Sequence, residues 1–136
     1  GKKIEKRLNI SKFAKCVSYR GYISEKDTHS YIFSSQLLLL VESNENVMSY
    51  VIPGKFFNYL YSKRPIIAFG PSCSEVEQIM NKLKIGNYFT RDKKELLYNY
   101  IRDCYSKFLK NELKEGQFST EKYDRLNLTK KLADLI

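Results

Sequence analysis

Leu37-Leu38-Leu39-Leu40-Val41, then Val51-Ile52-Pro53-Gly54-Lys55-Phe56-Phe57-Asn58-Tyr59-Leu60-Tyr61, then Arg64-Pro65-Ile66-Ile67-Ala68-Phe69 make up the stretch that sets the architecture. The first run is apolar at every position and bounded by polar residues, the form of a strand buried on both faces of a parallel sheet. Residues 42–50 carry no periodicity and are rich in Asn, Ser and Glu, which predicts a loop leaving the carboxyl end of that strand. Residues 55–61 can be a helix with Phe56, Phe57 and Leu60 facing inward. It stops before Pro65, because the residue preceding a proline disfavours helical angles. Ile66-Ile67-Ala68-Phe69 then reads as a second buried strand, completing a strand, crossover helix and strand.

The alternation continues in both directions. Upstream, residues 4–10 have apolar residues at helical spacing (Ile4, Leu8), and Cys16-Val17-Ser18-Tyr19 reads as a short strand ending at Gly21. Ser24 and Asp27 have the arrangement of a capped helix start, predicting a short helix from Glu25 to near Ser34. Downstream of Gly70-Pro71, Ser74 and Glu77 form a capping box, and Val76, Ile79, Met80 and Leu83 supply a helical stripe. Asn87-Tyr88-Phe89 reads as a short edge strand. Asp92 and Glu95 predict the cap of a long helix whose stripe runs through Leu96, Leu97, Tyr100, Ile101, Cys104, Tyr105, Phe108 and Leu109. Past Gly116, the spacing of Phe118, Tyr123, Leu126, Leu132, Leu135 and Ile136 predicts one or two short helices packing back on the body.

These elements predict a single α/β domain over residues 1–136, a Rossmann-like three-layer sandwich with a short parallel sheet of about four strands covered on both sides. Ligands of such sheets sit outside the carboxyl ends of the strands, where residues 20–23, 42–52 and 70–74 are expected to meet. The 136 residues, 43% hydrophobic, allow one core, and no stretch approaches the roughly 18 apolar residues of a membrane span. The basic N-terminus lacks the apolar segment of a signal peptide. Three well-separated cysteines, Cys16, Cys73 and Cys104, suggest reduced thiols in a cytoplasmic protein. The sequence opens on Gly1 without a methionine, so a longer protein is expected.

Lys and Arg number 24 against 15 Asp and Glu, a net charge of +9 that favours an anionic partner. Pro53-Gly54-Lys55 lies where loop becomes helix, so free backbone N–H groups and the positive end of the helix dipole face the crevice. The glycine permits close approach of a phosphate and the lysine adds a mobile ammonium, which together suit a diphosphate. The same triplet also occurs in plain turns, and the residues by themselves leave both readings open. His29 is the lone histidine, and no D-x-D pair, G-x-S-x-G or Walker lysine motif is present. Glu42 and Glu45 could serve a sugar hydroxyl, although acidic loop residues are ordinarily solvated. The aromatic residues, 14% of the chain, fall mostly on helix stripes and strands and read as core.

Gly21-Tyr22-Ile23, Ser35-Gln36-Leu37-Leu38-Leu39-Leu40, Ile52-Pro53-Gly54-Lys55-Phe56-Phe57-Asn58-Tyr59-Leu60 and Arg64-Pro65-Ile66-Ile67-Ala68 together resemble the carboxyl-terminal, donor-binding domain of GT-B glycosyltransferases of the family-4-like group. The resemblance covers residues 18–101. It implies that Gly21, Tyr22 and Ile23 hold a nucleotide base, that Pro53, Gly54, Lys55 and Phe56 hold the donor diphosphate, and that Asn58, Tyr50 and Ser49 touch ribose or sugar. It further implies a nucleotide-diphosphate sugar as donor, no metal or other cofactor, and an amino-terminal acceptor domain elsewhere in the protein. Envelope-polysaccharide synthesis at the inner face of a membrane, with peripheral association, and no specific nucleic acid partner also follow from it. Two features depart from the family. Its Glu-x7-Glu carboxylates are replaced by Tyr50 and Asn58, and the domain's first two strand-helix units are missing. Asn58 still exchanges hydrogen bonds with hydroxyls but bears no charge. The alternative reading is a non-catalytic basic module for nucleic acid or anionic surfaces.

Overall fold

The computed structural model describes residues 15–42 and 50–135. The chain divides into two units, Gly1–Tyr31 and Ile32–Ile136. In the first, residues 16–19 are exposed and pair with no strand, contrary to the strand expected there. Val17 and Tyr19 alternate with polar residues over too short a run to bury a face. Helix α1 (Glu25–Ser34) begins where Ser24 predicts. The Asp27 N–H donates to Ser24 Oγ at 3.1 Å, and that hydroxyl donates to Asp27 Oδ2 at 2.7 Å. The helix expected over residues 4–10 lies outside the described residues.

The larger unit is built on a parallel sheet in which β1 (Leu38–Val41), β2 (Ile66–Phe69) and β3 (Gly86–Phe89) lie side by side in chain order. Leu38 stands opposite Ile66, and Ile66 opposite Gly86. The sheet has three strands among the described residues where about four were expected. Helix α2 (Gly54–Ser62) crosses from β1 to β2, α3 (Glu75–Leu83) crosses from β2 to β3, and α4 (Lys94–Leu109) follows β3.

One face of the sheet carries the core. Leu38, Leu40, Ile66, Ala68 and Tyr88 point to it and meet Phe56 and Leu60 of α2 and Val76, Ile79 and Met80 of α3. Phe56 is completely buried, an aromatic anchor whose removal to alanine costs about 3–5 kcal/mol in comparable cores. The opposite face is only partly covered, correcting the expectation of a sheet buried on both sides. Tyr100 of α4 packs on Phe89 with ring centroids 5.9 Å apart, whereas Leu39 and Val41 of β1 remain 55% and 57% exposed. The four-leucine run therefore alternates between buried and exposed, because among the described residues β1 is an edge strand and α4 serves the β3 side.

Helix ends follow the sequence signals unevenly. Ser74 caps α3 by accepting from the Glu77 N–H at 3.0 Å, while the Glu77 carboxylate takes the Cys73 N–H at 2.7 Å. The cap expected from Asp92 is absent: its carboxylate is occupied by the Thr90 hydroxyl, and α4 begins after Lys93 without a side-chain cap. Of the α4 stripe, Cys104 is buried and Leu96, Ile101, Tyr105, Phe108 and Leu109 are exposed. A one-turn helix (Glu121–Tyr123) and α5 (Arg125–Ala133) complete the unit. Phe118 and Tyr123 pack on the core as expected, but Leu126, Leu132 and Leu135 stay exposed. No helix among the described residues is long and apolar enough to cross a membrane.

Gly86 opens β3 at φ +87°, and a Cβ there would run into the backbone of Ile66. The ladder between β2 and β3 thus requires glycine for both angle and space. Gly86→Ala is expected to lower stability by more than about 2 kcal/mol in urea denaturation, with an unchanged slope.

Candidate functional site

Parallel strands end on a common edge, here at Glu42, Gly70 and Thr90. α2 stops at Ser62, close before β2 begins, and its nine residues rise about 13 Å. Its first turn therefore lies toward the carboxyl ends of the strands. Pro53 is the N-cap and supplies no side-chain hydrogen bond to the helix. Phe56 N–H donates to Pro53 O at 2.9 Å, and as first-turn groups the Gly54 and Lys55 amides have no carbonyl within the helix to bond. Both residues are exposed. The result is a short turn of the kind that receives anions, with two N–H groups that the helix itself leaves unpaired, the positive end of a helix dipole and one lysine.

Gly54 has no conformational reason to be glycine. Its φ is not positive, and a Cβ there would meet nothing within 4 Å. Asn58 is exposed one turn further along the helix, and Tyr50 is exposed ahead of it. The Phe56 side chain belongs to the core, so its place beside the turn is structural. Ser49 lies outside the described residues. Gly21, Tyr22 and Ile23 belong to the first unit, where Gly21 has φ +65° with open space around it, Tyr22 is exposed and Ile23 is half-buried.

A buried polar cluster that the sequence did not disclose stands at the carboxyl edge. Glu42, which reads as solvated, is only 8% exposed. Its Oε2 accepts from the Tyr88 hydroxyl at 2.6 Å and from the Ser74 hydroxyl at 2.9 Å. The Tyr88 hydroxyl also lies 2.8 Å from Pro71 O, so one phenolic proton serves two acceptors. Glu42 Oε1 is buried with no hydrogen-bond partner among the described residues. Leaving such an oxygen unmet costs about 1–3 kcal/mol, and more when it is charged. Gly70 makes room for the cluster, since a Cβ there would strike the Tyr88 hydroxyl and stand 2.8 Å from Glu42 Oε2. The available hint was positional: Glu42 directly terminates a buried strand, where a side chain can still turn inward.

Lys63, Lys84, Lys107 and Lys114 line a cavity of about 280 Å³ at the amino ends of β2 and β3. α2 and α3 end there at Lys63 and Lys84, both with left-handed backbone, and Lys107 lies in the last turn of α4. These ammonium groups answer the negative ends of three helix dipoles. Lys107 is further held by Asp103 at 2.8 Å.

Comparison with protein-family models, with curated proteins and with solved structures finds no match. Among the described residues, no three His, Cys, Asp or Glu side chains gather in a way that could hold a metal ion.

Burial pushes the Tyr88 phenol above the ordinary value of 10.0, and its hydrogen bond to Glu42 pushes it further. Burial also raises Tyr59, and burial followed by neighbouring Cys104 raises Tyr100. A raised folded-state value gives stability that is fully present below pH 10 and lost as pH climbs through the folded-state values. The urea midpoint is therefore expected to fall steadily above pH 10. Tyr88→Phe should cost about 1–3 kcal/mol at pH 7, because Glu42 and Pro71 lose a donor, and it should flatten that alkaline decline.

Proposed function

We propose that this chain is the donor-binding part of a glycosyltransferase, a truncated GT-B carboxyl-terminal domain with a Rossmann-like sheet. In this reading the Pro53-Gly54-Lys55 turn holds the diphosphate of a nucleotide sugar. The observation that carries it is the uncapped, exposed start of α2, whose glycine answers to no internal steric demand. A phosphate oxygen approaching the Gly54 and Lys55 amides gives that glycine a purpose, since a side chain there would hold the anion off. The sequence resemblance supplies the chemistry, and the three-stranded parallel sheet with crossover helices is compatible with it.

Catalysis in the whole enzyme would be electrostatic. As the bond between sugar and diphosphate breaks, negative charge grows on the departing phosphate, and the Lys55 ammonium with the helix amides stabilises it. That scheme requires no metal. Asn58 and Tyr50 would meet ribose or sugar through hydrogen bonds without charge. The roles of Ser49 in that contact and of Gly21, Tyr22 and Ile23 toward the base rest on the resemblance. The acceptor would be held by a separate amino-terminal domain of the full protein, and this fragment alone would not turn over. A cytoplasmic setting, peripheral at a membrane that receives the glycan, completes the proposal.

Titration with uridine and guanosine diphosphates, followed by calorimetry, tests it. Saturable binding of one nucleotide is expected, weakened at least tenfold in Lys55→Ala. Gly54→Val should weaken it comparably while leaving the urea midpoint nearly unchanged, because the fold has open space for the added side chain. Steeply salt-dependent binding of DNA with no nucleotide effect would instead identify a basic module acting through its net charge.

A further inference from the structure

The dipoles of α2, α3 and α4 account for lysine at positions 63, 84 and 107. They do not account for Lys114, which belongs to no helix and lines the same cavity of about 280 Å³. Backbone hydrogen bonds bring it there. The Glu112 N–H donates to Lys107 O at 2.8 Å and the Gly116 N–H donates to Lys63 O at 2.7 Å, so the segment between them is tied at both ends. Nor do dipoles explain why two of the lysines stand at left-handed positions. Lys63 and Lys84 have φ 56° and 53°, where glycine or asparagine is the least strained choice. After α4 the left-handed residue is Asn111, one of those two. A lysine elsewhere in the last turn would answer the dipole without that strain.

The cavity also holds more positive charge than its own carboxylates match. Among the described residues, Lys107 is the one lysine of the four with a carboxylate partner, Asp103 at 2.8 Å. Lys63, Lys84 and Lys114 have none there, and the remaining carboxylate of the lining is Glu112. Three ammonium groups against one carboxylate leave a surplus of two positive charges. A phosphate monoester carries about two negative charges at pH 7 and accepts charge-assisted hydrogen bonds from several donors at once. Pro65, Ile85, Tyr100 and Leu113 add apolar surface to the lining, and the volume suits a small ligand. We infer that this cavity is a binding site for a phosphate dianion, borne by a small organic molecule or free, with Lys63, Lys84 and Lys114 as the donors. It lies at the edge opposite the Gly54 turn, and the inference does not rest on the nucleotide-sugar reading. Its donors come from the ends of α2 and α3 and from the segment after α4, so a bound dianion ties three parts of the chain together and stabilises the folded state.

Calorimetric titration of the chain with inorganic phosphate, phenyl phosphate and glucose 6-phosphate in dilute buffer tests the site. Saturable binding is expected, weakened by about tenfold or more in Lys63→Gly, Lys84→Gly and Lys114→Gln, the size of one lost charge-assisted hydrogen bond. Lys26→Gln removes the same charge at an exposed position on α1 that does not line the cavity, and should leave the affinity within about twofold. Glycine suits the left-handed backbone, so Lys63→Gly and Lys84→Gly should keep or raise the urea midpoint while losing the ligand. Damage to the fold would lower both. Lys114→Gln lies outside every helix and strand, so its result stands even if a glycine variant is unstable. Phenyl phosphate should raise the urea midpoint of the wild type and not that of Lys114→Gln. Esters that bind more tightly than inorganic phosphate identify an organic ligand resting on the apolar lining, and equal affinities identify free phosphate. The site is overturned if no probe binds saturably, if the three cavity variants leave the affinity unchanged, or if Lys26→Gln lowers it equally. Binding that Lys55→Ala abolishes and the three variants do not affect belongs to the Gly54 turn, and also overturns the cavity assignment.

Discussion

Hydrogen bonding along β2 imposes the condition from which the larger unit follows. Ile66–Phe69 is flanked on both sides by strands running in its own direction, and a chain cannot pass between parallel neighbours without a crossover. α2 and α3 are those crossovers, and the need to bury one face of the sheet selects Phe56, Leu60, Val76, Ile79 and Met80 as their inner residues. The same directionality sends the start of each crossover helix to one edge and its end to the other. Amide donors thus gather where the strands finish, while carbonyl ends and their lysines gather where the strands begin.

The two edges are consequently opposite in chemistry. At the amino edge, left-handed Lys63 and Lys84 terminate helices at positions where glycine is the usual residue, and lysine adds compensating charge. At the carboxyl edge, among the described residues, lie the first turn of α2 with Lys55, the Glu42 carboxylate held by the Tyr88 and Ser74 hydroxyls, and Thr90 to Lys93 at the end of β3.

Much of the larger unit was legible because its signals are local. The strands read at residues 66–69 and 87–89 and the helix capped by Ser74 follow from apolar runs, punctuation and capping that neighbouring residues decide among themselves. What could not be read depended on partners distant in sequence. The leucines of β1 look equivalent in sequence, yet which pair is covered depends on where α4 comes to rest. Asp92 looked like a cap until Thr90 engaged it. At the site, the exposed turn at Gly54 and Lys55 was visible as a motif. Glu42 was not, since its burial arises from Ser74 and Tyr88, which approach it only through the fold.

The half-covered strand β1 has a consequence for the behaviour of the protein in solution. Leu39 and Val41 present apolar side chains beside the outer margin of the sheet, where no further strand pairs among the described residues. Such margins template sheet growth between molecules. Two properties oppose that growth: β1 is only four residues long, and every molecule carries a net charge of +9. The second is colloidal and fades as ions shorten the reach of repulsion. Dilute buffer therefore preserves the repulsion between the chains, and concentrated salt weakens it.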